Sequence, residues 1–129
     1  MQSFREILES YGVDYDNTMT RFLGNETFYL KILGRLPQDN NLAALEDALD
    51  KGDLGTAFEA AHTIKGLAGN LGLQSIYEAV SAMVEPLRAG NLREDYKSLY
   101  QVLRREYLKV EKMRLELEEH EGFQPFGGV

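Results

Sequence analysis

The chain has 129 residues, a formal charge of −7 at pH 7, two histidines and no cysteine. That length suits one domain whose core stands without metals or disulfides. The acidic balance, with a pI near 4.8, excludes the basic face of a nucleic-acid binder, and the missing cysteines exclude disulfide frameworks and thiolate zinc sites. The opening Met-Gln-Ser-Phe-Arg-Glu has no basic stretch leading into an apolar run, and no segment approaches the ~18 apolar residues of a membrane span. A soluble, cytoplasmic protein that binds no membrane is expected.

Apolar residues recur at helical spacing, and no alternating β-branched run calls for a strand. The predicted fold is all-α, an up-and-down antiparallel four-helix bundle with additional short N-terminal helices. A first helix over about 2–11 carries Phe4, Ile7 and Leu8. A short one follows from Asp14 to Leu23, and a third, capped by Asn25, places Phe28, Tyr29, Ile32, Leu33 and Leu36 on one side before Pro37. The fourth carries Leu42, Leu45, Ala48 and Leu49 up to Gly52.

Asp53 is a good N-cap for a helix over about 54–71 that Gly72 closes in a left-handed cap. Ser75 and Glu78 have the spacing of a capping box for the next helix, whose stripe of Ile76, Ala79, Val80, Met83, Val84 and Leu87 runs to Gly90. Pro86 should kink or distort it. Asn91 and Glu94 are placed to cap a long last helix to about 119, with Tyr96, Leu99, Leu103, Val110, Met113 and Leu117 at near-heptad spacing. Glu116, Glu118, Glu119 and Glu121 crowd its negative dipole end, which predicts fraying. A single domain over 1–120 is expected, followed by a disordered tail at 121–129.

The helix over 54–71 breaks a local rule. Leu54, Ala57, Ala61, Ile64, Ala68 and Leu71 form its apolar stripe, which leaves His62, Gly66 and Gly69 well away from its centre and points His62 at solvent. Each interior glycine costs about 1 kcal/mol relative to alanine, and such violations are expected at functional sites. Lys65 and Gly66 stand at the i+3 and i+4 positions that neighbour His62. A solvated imidazole is largely neutral at pH 7 and keeps a ring nitrogen free as a nucleophile. If the group it accepts is phosphoryl, Lys65 is placed to offset the added charge. The chain has no glycine-rich nucleotide loop of P-loop or kinase type, so donor and metal must come from elsewhere.

Ala-His62-Thr-Ile-Lys65-Gly66, followed by Gly69-Asn70-Leu71-Gly72, resembles the signature of histidine-containing phosphotransfer (HPt) domains. Phe22-Leu23-Gly24-Asn25 and the helix with Glu85 extend the likeness over about 12–115. The resemblance implies a phosphorelay carrier of two-component signalling, not an enzyme by itself, in which His62 is the phosphoacceptor, Lys65 neutralises the phosphoryl group and Gly66 gives a partner clearance. It implies response-regulator receiver domains, and a hybrid histidine kinase, as partners. It also implies no intrinsic cofactor, Mg²⁺ being supplied by the receiver. Many relatives set a polar side chain of the next helix against the histidine; here that position is Val84, with Glu85 beside it, and the sequence leaves the contact open.

Other readings stand beside this one. Phe58, one turn before His62, belongs either to the core or to a receiver-docking patch. Gly69 either serves docking or permits close helix packing, whereas Asn70 and Gly72 read as helix-ending residues. His120 reads as a solvated residue, and a metal site from Glu118, Glu119, His120 and Glu121 is poorly supported because successive helical residues do not converge. The rival function is a helical adaptor, a degenerate HPt relative that binds a partner without phosphotransfer. A metal- or haem-binding bundle has too few histidines.

Overall fold

The computed structural model describes residues 2–121, and among them every regular element is helical. The predicted tail lies outside the described residues, except Glu121, which still belongs to a helix. α1 (Phe4–Ser10) starts at a capping box in which Ser3 Oγ accepts from the Glu6 amide at 3.1 Å while Glu6 Oε1 accepts from the Ser3 amide at 2.9 Å. α2 (Tyr15–Thr20) and α3 (Glu26–Leu33) are capped by Asp14 and Asn25. The chain then turns through a 3-10 segment, Leu36–Gln38, around Pro37.

Four longer helices follow: α4 (Asn41–Lys51), α5 (Leu54–Leu71), α6 (Gln74–Arg88) and α7 (Tyr96–Glu121). α5 packs against α4 and α6, and α7 packs against α6 and α4. Gly52 and Gly72 end α4 and α5 in left-handed conformations, φ 71° and 70°, and the short connections after them fold each helix back on its predecessor. These neighbours therefore run antiparallel, giving the expected up-and-down bundle. α1 and α3 lie against α7. One core joins all of these helices, with Leu8, Tyr29, Leu45, Ile64, Met83, Leu103 and Met113 among the side chains it encloses.

The N-terminal helices also hold the C-terminal end of α5. Its last carbonyls have no partner within the helix. The buried Tyr29 hydroxyl donates to the Leu71 carbonyl at 2.7 Å, and Arg21 Nε donates to the Asn70 carbonyl at 2.9 Å. Burial raises the Tyr29 phenol above its ordinary range, so this donor stays protonated.

Several local expectations need correction. Ser75 and Glu78 form no capping box: α6 begins at Gln74, directly behind Leu73, and Glu78 instead accepts from Gln74 Nε2 at 3.1 Å. The left-handed turn at Gly72 hands the chain to α6 earlier than the serine suggested. α7 begins at Tyr96, beyond Asn91 and Glu94, and the Tyr96 hydroxyl donates back to the Asn91 carbonyl at 2.6 Å. Pro86 lies inside α6, which runs on to Arg88. Phe28 is 47% exposed, resting at the rim against Phe22. α7 extends to Glu121, past the expected end near 119; within it Arg114 pairs with Glu111 and Glu118, and Glu116 accepts from the Tyr11 hydroxyl at 2.9 Å.

Candidate functional site

Local sequence fixes the ends of α5. Asp53 accepts from the Thr56 amide at 3.1 Å and from its hydroxyl at 2.7 Å. The side-chain bond first, and then the backbone bond, hold the Asp53 carboxyl below the usual carboxylate range. Between this cap and Gly72, the buried face is Ala57, Ala60, Ala61, Ile64, Ala68 and Leu71, with Leu54 only half-buried. His62 is thereby turned outward and exposed.

The five residues singled out from sequence, Phe58, His62, Lys65, Gly66 and Gly69, share one side of α5. Phe58 stacks on the His62 ring, with centroids 5.5 Å apart and planes 18° from parallel, an offset geometry worth about 0.5–1.5 kcal/mol for an aromatic pair. Lys65 Nζ lies 5.4 Å from the centre of the Tyr77 ring. A Cβ built on Gly66 would meet nothing within 4 Å, so the space over it is open. At Gly69 the same atom would lie 3.6 Å from Tyr77 Cε2, an ordinary contact. Gly69 therefore faces the Tyr77 side chain of α6.

Val84 and Glu85 fall in different environments. Val84 is buried in the core, and exposed Glu85 pairs with Arg88 at 3.3 Å. Arg88 in turn sets its guanidinium 4.9 Å from the centre of the Phe58 ring. Among the described residues no side chain hydrogen-bonds the His62 imidazole, which the Phe58 stack alone contacts as a ring. Phe58 is half-buried and packs against the core while also stacking on His62.

Tyr77 and Arg88 are the residues that sequence reasoning missed. Both sit on α6, and their meeting with Lys65 and Phe58 depends on the register of α6 against α5. Helical periodicity within either segment carries no such information. The i, i+4 relation of Phe58 to His62 is local, and the sequence placed Phe58 one turn before His62 without indicating the ring stack. His120 is half-buried near the end of α7, where it lines a cavity of about 300 Å³ with Gln2, Ile7, Glu116 and Glu119, and so is less solvated than expected. Among the described residues no group of three or more His, Cys, Asp or Glu is placed to hold a metal ion, and no helix is long and apolar enough to cross a membrane.

The arrangement presents an exposed nucleophile-type side chain, a cation one turn along and open space over the neighbouring Gly66, carried on a four-helix frame. The family model for the Hpt domain matches residues 38–119, which span α4 through α7 except the two last residues of α7. No curated protein and no solved structure matches the chain. The match takes in well over half of the sequence and the whole helix that carries His62, and the all-helical bundle agrees with it: the chain belongs to the Hpt domain family.

Proposed function

We propose that His62 is the residue through which this Hpt chain, a phosphorelay carrier of two-component signalling, takes a phosphoryl group from a receiver-domain aspartyl phosphate and passes it to another receiver. The distal ring nitrogen, Nε2, attacks phosphorus with its lone pair. A P–N bond forms, the P–O bond to aspartate breaks, and the aspartyl carboxylate leaves. The Nδ1 proton remains on the ring or passes to water. The return transfer to a second receiver runs the same steps backwards.

Lys65 offsets the dianionic group as a point charge, and the open space over Gly66 admits the receiver's loops. Such transfer depends on positioning and charge stabilisation, and this chain supplies the acceptor and one cation. Mg²⁺ would be held by the receiver. The proposed partners are therefore response-regulator receivers, with a hybrid kinase as the upstream source, in the cytoplasm. The observation that carries this reading is the outward-facing, stacked His62 with Lys65 beside it and nothing over Gly66. The presence of His62, Lys65 and Gly66 together favours this reading over the adaptor.

Incubation with a phosphorylated receiver and Mg²⁺ tests it. The protein should acquire an acid-labile, base-stable phosphoryl group, and His62→Gln should acquire none. A His62→Gln protein labelled as well as the parent would overturn the assignment.

A further inference from the structure

We infer that Phe58 is a positioning residue for His62, held in place by Arg88, and that this aromatic brace sets the direction of the acceptor nitrogen here. The inference rests on His62 being the acceptor. A histidine side chain on an exposed helix face turns about two bonds, and each misdirected rotamer takes Nε2 out of line with an incoming phosphorus. In-line transfer is sensitive to such misplacement. Among the described residues no hydrogen bond restrains the ring. Val84 is buried and apolar, and Glu85 is engaged with Arg88.

What restrains the ring is the stack. Phe58 lies 18° from parallel with the imidazole, which restricts rotation of the ring plane while leaving both nitrogens unblocked by a donor. Phe58 is itself steadied from two sides. It packs against the core, and the Arg88 guanidinium sits 4.9 Å from its ring centre, within the range of a cation–π contact. Glu85 completes the chain by pairing with Arg88 at 3.3 Å. The brace thus links the acceptor on α5 to the last turn of α6.

This differs from a docking role, in which Phe58 would contact the receiver and chiefly set its affinity. The two separate by kinetics and by ring mobility, measured on the full chain. Phe58→Leu keeps apolar bulk but removes the flat face. It should lower the maximal rate of transfer from a phosphorylated receiver by about 2- to 10-fold, with little change in the receiver concentration giving half that rate. ¹³C relaxation of the labelled His62 ring should show increased motion in Phe58→Leu. Phe58→Tyr should restore both rate and rigidity, and Arg88→Ala should give a smaller change of the same kind.

An unchanged His62 ring mobility in Phe58→Leu would overturn the inference. So would a raised half-saturating receiver concentration with an unaltered maximal rate, which is the outcome of docking. If the parent protein accepts no phosphoryl group at all, the acceptor assignment fails by itself, and the ring measurement still decides whether Phe58 holds His62.

Discussion

Gly66 lies within α5 and Gly72 caps its C-terminal end, and the two positions ask opposite things of a glycine. Over Gly66 there is nothing for a side chain to meet, and its backbone is ordinary helix. At Gly72 the backbone is left-handed, and a Cβ would come within 2.1 Å of the buried Thr18 hydroxyl oxygen. Close packing therefore explains the second glycine and not the first. The lesson is that α5 divides along its length. Its C-terminal end is locked by α2 and α3 through Thr18, Arg21 and Tyr29, while its middle is kept clear on the side of His62.

The largest expected effect lies at the locked end. Gly72→Ala should destabilise the fold by roughly 2–4 kcal/mol, the sum of a left-handed alanine and an overpacked contact, read by urea unfolding. Gly52 offers the control, being left-handed with nothing within 4 Å. Gly52→Ala should cost only about 1–2 kcal/mol. Equal losses at the two sites would mean that Thr18 yields and the lock is loose.

Gly66 should behave in the reverse sense. Gly66→Ala is expected to raise stability by about 1 kcal/mol, the helix-propensity difference, because no neighbour is in the way. Gly66→Leu should keep the fold yet weaken receiver binding by about tenfold to a hundredfold through overlap with the partner. Unimpaired binding by a folded Gly66→Leu protein would remove the clearance role, and with it the functional half of the contrast.

Lys65→Ala should slow phosphoryl transfer on the order of tenfold, the worth of one contact to a charged group, with an unchanged unfolding midpoint. A normal transfer rate would leave Lys65 merely resting on Tyr77. The smallest effect concerns the other end of α5. The Asp53 carboxyl is held below its ordinary value by Thr56, so its share of stability is present above the unfolded carboxylate value, near 3.9. That share is lost as pH falls through the lower folded value. Asp53→Asn keeps a capping oxygen without that titration, and its unfolding midpoint should fall less between pH 5 and pH 2 than the parent's. An identical fall would assign the acid sensitivity to other groups.

Much of α5 was legible in the sequence, because caps and periodicity are local. Asp53, Gly72 and the alternation of alanines with exposed residues fix where the helix starts, stops and turns outward. The starts of α6 and α7 were misplaced in opposite directions. A capping-box pattern such as Ser75 to Glu78 states what a helix start needs, but the chain entering from Gly72 had already started α6 at Gln74, whereas α7 begins only at Tyr96, beyond Asn91 and Glu94. Tyr77 and Arg88 stayed hidden because they reach the site from a second helix, whose rotation against α5 is decided by Ala60, Ile64, Val80 and the rest of the core acting together. The clearance over Gly66 was readable only as a propensity violation, and needed the neighbours' positions before packing could be set aside.

The central claim is that the phosphoryl group resides on His62 through a P–N bond at the distal nitrogen. Phosphorus–proton correlation NMR of the protein after transfer from a phosphorylated receiver reports that bond directly. The account predicts one phosphoramidate signal coupled to both ring protons of His62, absent in His62→Gln and present in His120→Gln. A signal that survives His62→Gln, or that couples to His120, would contradict it.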